Sequence, residues 1–313
     1  MKSNLHFILF LLIPILSFSQ TPISKKIYLD SLWNETTEAN HKYYRITKSY
    51  NLNQDSYTVS DYYKSGVLQM AGTSKTKDYL SKEGQFIFYY ENGNKRSIAN
   101  YVNSRPSGKQ FDWYENGQIK SEIEYLENQN GSISEISVNQ FWNTENVQKV
   151  IDGNGDYEYS DDRQHENGKI KNGFHDGIWK GYNKNLNWSY TEIYENGKFI
   201  SGVSIDSSNT EHPYDVIESK PKPKKGIEHF YGYIGKTFNT PKVQGLKGKI
   251  YITFVVDANG KIIEPKILRD IGYGTGLEAI RVLTSYGNWI PGQQRGINVR
   301  VLYSIPITIQ SRY

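Results

Sequence analysis

FYYENGNKRS, Phe88 to Ser97, is followed by DWYENGQIKS, Asp112 to Ser121, and the phrase YENG returns once more from Tyr194 to Gly197. The letters ahead of the first two copies repeat as well. GQFIFYY, Gly84 to Tyr90, and GKQFDWY, Gly108 to Tyr114, share a glycine and aromatic positions at an offset of 24 residues. Looser copies are YYKSG from Tyr62, HENG from His165, DGIWKGYNKN from Asp176 and IYENG from Ile193. Self-similarity of this kind decides the architecture before any single motif does. Each unit reads as a hairpin. A short aromatic strand enters Glu-Asn-Gly, where Asn and Gly accept the positive φ of a tight turn, and an alternating strand follows. Turn roles therefore fall to Gly93, Gly117 and Gly197. In the second strand Ile119, Ser121, Ile123 and Tyr125 share one face, and Lys120, Glu122 and Glu124 take the other. A lone hairpin is marginal in water, so successive units must join into one antiparallel sheet.

The composition suits half-wet sheets. The 313 residues include 26 Tyr, 12 Phe and 6 Trp against 2 Met, so rings must supply much of the apolar area. A net charge of +4, with no basic cluster outside one short stretch, argues against a nucleic-acid partner. No cysteine is present, so neither a disulfide framework nor a thiol lipid-attachment site is expected. MKSNLHFILFLLIPILSFSQ has the layout of a signal peptide, residues 1–19, cut after Ser19. The apolar run from Leu5 to Leu16 is short for a spanning helix and contains Pro14. The expected location is the periplasm or cell envelope, with membrane contact only if the N-terminus stays uncleaved.

Candidate sites for chemistry fail on spacing. IDGNGDYEYSDD, Ile151 to Asp162, alternates oxygen ligands, but Tyr157 stands where a calcium loop needs Gly and Arg163 where it needs Glu. It reads better as a glycine-rich hairpin. His41, His165, His175, His212 and His229 show no metal-ligand spacing. GYGTG, Gly272 to Gly276, lacks the Lys-Ser/Thr of a phosphate loop. No catalytic residue, metal or cofactor is expected, and a calcium protein or hydrolase with an unrecognised site is the rival from another class.

The expected organisation is a signal peptide (1–19), a lead segment (20–61), a β-repeat domain (62–203), a Pro/Lys linker (204–225) and a small α+β domain (226–313). In the last, Ile227, Phe230, Tyr231 and Ile234 form an amphipathic helix. KIYITFVVDANGKIIEPKIL is a hairpin turning at Asp257 to Gly260, LEAIRVLTSYGNW a helix from Leu277 to Trp289, and VRVLYSIPITI a final strand. Val299, Val301, Tyr303, Ile305, Ile307 and Ile309 share one face of that strand. Pro306 confines it to the border of the sheet. The fold class is thus mainly β with α+β: an antiparallel hairpin-repeat sheet, then a three-stranded antiparallel sheet covered by helices.

Two family resemblances follow from these residues. Tyr90-Glu91-Asn92-Gly93 and Tyr114-Glu115-Asn116-Gly117 resemble the core of the MORN-type repeat variant. That resemblance implies a structural and interaction surface with no catalytic residues. The C-terminal 88 or so residues are similar to the TonB C-terminal domain at Pro241, Gly248, Phe254, Val256, Gly260, Ala279, Trp289, Pro291, Gly296, Val299 and Pro306. RDIGYGTG, Arg269 to Gly276, departs from the serine-glycine turn more usual there. This second resemblance implies capture of an extended protein or peptide segment, such as part of an outer-membrane receptor, as an added strand. The residues expected to carry it are Val299, Arg300, Val301, Leu302, Tyr303 and Ser304. A cleaved leader and a short linker favour a binding module over an anchored energy transducer, which is the alternative reading.

Overall fold

A computed structural model describes residues 21–128, 133–287 and 289–311. The signal-peptide reading of residues 1–19 lies outside them. The fold is mainly β with a small helical share, as the alternating patterns predict. The chain divides into two compact units, residues 1–148 and 149–313.

In the first unit each long strand pairs antiparallel with the next. The order is Lys25–Leu29, Tyr43–Thr47, Tyr57–Tyr63, Leu68–Ser74, Lys82–Tyr89, Lys95–Val102, Arg105–Trp113, Ile119–Glu127 and Ile133–Trp142. The first two of these strands belong to the segment expected to lead into the repeats, so pairing begins before the first legible copy. That segment contains no YxxG phrase to announce it.

The YENG turns close as three-residue loops. Gly93 N–H donates to the Tyr90 carbonyl at 3.0 Å, and Tyr90 N–H to the Asn94 carbonyl at 2.8 Å; Gly117 and Tyr114 do the same at 2.9 and 2.8 Å. Only the glycine is left-handed, with φ of 87° at Gly93 and 86° at Gly117. Asn92 and Asn116 keep negative φ, contrary to the sequence expectation. They act through side chains instead, accepting the amides of Asn94 at 2.9 Å and Gln118 at 3.0 Å. At Tyr194 to Gly197 the same four letters make a different turn. Glu195 pairs with Lys198, and both Asn196 (φ 48°) and Gly197 (φ 82°) are left-handed, a two-residue loop.

The tyrosine of the phrase joins one unit to the next. Tyr63 Oη donates to the carbonyl of Tyr89, Tyr90 Oη to that of Trp113, and Tyr114 Oη to that of Trp142, each at 2.8 Å. Every acceptor is the residue just before the next turn begins, so the phrase recurs because both the turn and its tie to the following turn recur.

The second unit opens with more hairpins: Asn154–Ser160, Gln164–Lys171, Phe174–Asn183, Trp188–Glu195, Lys198–Ile205 and Glu211–Tyr214, each paired antiparallel with its successor. Here aromatic rings lie over glycines of the neighbouring strand. A Cβ on Gly168 would come within 2.3 Å of Trp179, one on Gly181 within 2.1 Å of Tyr190, and one on Gly202 within 2.3 Å of Tyr214. Bare glycine backbone gives each ring its seat, which lets this aromatic-rich sheet pack with few aliphatic side chains.

The remainder of the unit is an α+β sandwich. Its sheet places Lys247–Val256 between Ile262–Arg269 and Val301–Gln310, all antiparallel. Ile250, Ile252, Phe254 and Val256 point from the central strand into a core with Phe230 and Ile234 of the helix Ile227–Thr237. Ala279, Val282 and Leu283 of the helix Thr275–Ser285 complete it. That helix ends short of the expected Trp289, and Gly287, a helix-stopping residue, falls just beyond it. Trp289 instead sits in a short strand, 1% exposed, with its ring against Phe230, Phe254 and Tyr303. The stretch expected to be a stiff Pro/Lys linker also pairs with its neighbours. Glu218–Ser219 pairs with Gly292–Gln294, and Lys222–Pro223 with Trp289–Ile290.

Candidate functional site

The final strand, Val301–Gln310, takes its form from strict alternation. Ile305, Ile307 and Ile309 are buried in the core, while Leu302, Ser304, Pro306, Thr308 and Gln310 are exposed. It pairs with the central strand without a break, from Val301 opposite Val256 to Gln310 opposite Lys247. Among the described residues no strand pairs with its other side. The direction of its amides follows from the register. Ser311 N–H donates inward to the Leu246 carbonyl at 2.7 Å, so odd-numbered residues bond to the central strand. Even-numbered residues then turn N–H and C=O outward. Pro306, which has no donor, falls on an outward position, as the sequence argument requires. Leu302, Ser304, Thr308 and Gln310 are left presenting donors and acceptors along the open edge.

A groove of about 610 Å³ accompanies the far end of this edge, lined by Ile234, Gly235, Phe238 and Thr240 on the helical side and by Ile307 to Gln310 on the strand. The six residues singled out from sequence therefore separate. Val301, Leu302, Tyr303 and Ser304 lie in the edge strand. Val299 belongs instead to a short strand, Ile297–Val299, paired with Gly292–Gln294, and Arg300 falls between the two elements. Arg300 forms an exposed ion pair with Glu264 at 2.6 Å, an interaction worth little in water. Sequence reasoning missed the groove side, Thr308 and Gln310, because nothing in the strand pattern reveals where a helix leaves space. Of the turn glycines, Gly260 (φ 79°) closes the same three-residue loop as the repeat turns, between Asp257 and Lys261.

A second constellation escaped the sequence reading. Glu192, 2% exposed, accepts from Arg295 Nε at 2.7 Å, Tyr214 Oη at 2.8 Å and Tyr194 Oη at 3.0 Å. The Arg295 guanidinium also lies 3.8 Å from the Tyr190 ring centroid. Arg295 (φ 49°) and Gly296 (φ 77°) form the two-residue turn between Gly292–Gln294 and Ile297–Val299, so a hairpin of the α+β part inserts its cation into the last repeat hairpins. Burial pushes the phenols of Tyr190, Tyr194 and Tyr214 well above their ordinary value, which keeps them as donors.

Beside this cluster His175 stacks on Trp179 with ring centroids 3.5 Å apart. Burial drives its imidazole down to about 4, opposed by the charge of Glu192 and reinforced by that of Arg295. The unfolded chain takes up this proton near the ordinary histidine value, so it binds more protons than the folded chain between about pH 6.5 and 4. Stability is fully present above that window and falls as pH drops through it. The expected loss is on the order of 2 kcal/mol, and His175→Phe should flatten the slope. Urea melts of both proteins at pH 7 and pH 4.5 check this.

The acidic residues of the calcium-like stretch do not converge. Asp152 sits in a hairpin turn at φ 48°, and Asp156 pairs with Lys169 at 2.9 Å on the surface. Among the described residues no three His, Asp or Glu side chains are placed to share a metal ion, and no helix is long and apolar enough to cross a membrane.

Comparison with known families bears on the first unit. The family model described as MORN repeat variant matches residues 82–103 and 106–127. Each match covers one hairpin built around a YENG turn, so these two hairpins are similar to MORN-variant repeats. No curated protein matches the chain.

Proposed function

We propose that this is a non-enzymatic envelope protein whose C-terminal α+β part, a TonB C-terminal-like module, captures an extended protein or peptide segment by strand addition to Val301–Gln310. The repeats then act as spacer or second interaction surface. The observation that carries the reading is the unpaired edge, with outward backbone groups at Leu302, Ser304, Thr308 and Gln310 beside an open groove. Backbone bonds to such an edge supply affinity, and alternate side chains entering the groove supply selectivity. Pro306, in the middle, limits pairing of two copies of the strand. The TonB-like positions between Pro241 and Pro306 support the same reading, and the signal-like N-terminus supports the location.

Two proline substitutions one residue apart test it. Leu302→Pro removes an outward donor and should cut capture from an envelope extract about tenfold or more while leaving the melting temperature near that of the parent. Tyr303→Pro removes an inward donor and should unfold the α+β part. Equal capture by the parent and a folded Leu302→Pro variant would place binding elsewhere.

A further inference from the structure

A cavity in the first unit, of about 450 Å³, has no part in strand capture. Its floor holds Asp61, fully buried and clamped by Arg45 through two bonds of 2.7 Å from Nε and Nη2. That pair neutralises itself. Two further cations line the same cavity, Lys82 and Arg96, and among the described residues neither forms an ion pair. Both are held over aromatic rings: the Lys82 ammonium lies 4.5 Å from Tyr101 and 4.9 Å from Phe88, and the Arg96 guanidinium 5.5 Å from Phe88. Burial holds the Lys82 ammonium below its ordinary pKa, with Asp61 opposing.

An acceptor is stranded beside these donors. Gln69 lines the cavity at 4% exposure, and its Oε1 has no hydrogen-bond partner among the described residues. A buried acceptor without a donor is costly. The atom is closed to the cavity as the side chain lies, so a ligand that relieves it must bring an O–H or N–H and turn the Gln69 amide toward it. Trp33, stacked on Tyr43 at 4.4 Å and 6°, adds a fixed flat wall that is 42% exposed. The site therefore presents two unpaired cations, one orphan acceptor and an apolar ring face, a concave arrangement of the kind that holds a small molecule.

We propose that this cavity binds a hydroxylated ring carboxylate, of the hexuronate class, its carboxylate on Lys82 and Arg96, its ring face against Trp33 and a hydroxyl donated to Gln69 Oε1 once that amide turns toward it. Arginine and lysine hold carboxylates through charge-assisted bonds. A phosphate meets the same cations but offers no carbon face to Trp33.

Calorimetric titration of the full chain with D-glucuronate, D-glucose and inorganic phosphate at equal ionic strength tests the assignment. Glucuronate should bind about tenfold or more tightly than either of the others. Lys82→Met and the half-buried Arg96→Gln should each weaken glucuronate about tenfold. Gln69→Leu should weaken it too, yet raise the melting temperature of the free protein, because an orphan acceptor has been removed. Absence of heat with glucuronate would overturn the proposal. So would glucose or phosphate binding as tightly, or unchanged affinity in folded Arg96→Gln and Gln69→Leu variants.

Discussion

Glu192→Ala is expected to destabilise the second unit by roughly 3 to 5 kcal/mol, because it leaves the Arg295 cation buried without its carboxylate. Tyr194 and Tyr214 lose their acceptor in the same step. Arg295→Ala should cost a similar amount for the converse reason. Replacing both partners together, as Glu192→Leu with Arg295→Met, should recover much of the loss, since buried pairs often exchange for apolar groups at little net cost. Urea denaturation of Glu192→Leu, Arg295→Met and the double variant measures the coupling directly. Additive losses would mean that the 2.7 Å contact contributes nothing of its own. The contact also bears on whether the α+β part stands alone. Its hairpin turn at Arg295 and Gly296 reaches the last repeat hairpins, so a fragment beginning at Gly226 lacks Glu192 and is expected to melt well below the full chain.

Gly260→Ala should be the most damaging of the turn-glycine substitutions. A Cβ there would stand 2.2 Å from the carbonyl oxygen of Trp289, and backbone cannot swing aside as a side-chain tip can. Trp289 is the centre of the α+β core, so the displacement propagates into Phe230, Phe254 and Tyr303. Strain at positive φ adds to the clash, and a total of about 3 kcal/mol or more is expected. Gly93 and Gly117 share the loop type but face open space or only the Asn94 side chain. Alanine at either should cost roughly 1 kcal/mol, the left-handed penalty alone. Thermal melts of the three variants rank them, and equal losses would mean that turn conformation rather than the Trp289 contact governs Gly260.

The parts of the fold visible in sequence are those whose signal is local. Alternation from Val301 to Ile309 gives the buried face of the final strand, Pro306 gives its border position, and YENG gives the hairpins. Local letters do not give the turn type: YENG closes a three-residue loop at Gly93 and a two-residue loop at Gly197, and the difference lies in the strands that each joins. Arginine is an uncommon residue at positive φ, so Arg295-Gly296 carried no turn signal, and the expected strand ran on through Val299 and Arg300. The Glu192–Arg295 pair spans 103 residues, and the cavity around Gln69 draws on strands brought together only by pairing. Neither has a spacing to read.

Residue-resolved hydrogen exchange of the final strand, in the free chain and in the complex captured from envelope extract, tests the central claim most directly. In the free chain the amides of Leu302, Ser304, Thr308 and Gln310 should exchange fast, and those of Tyr303, Ile305, Ile307 and Ile309 slowly. In the complex the four fast amides should become protected. The claim is contradicted if those four are already slow in the free chain, or if they stay fast in the complex while amides of the repeat sheet gain protection.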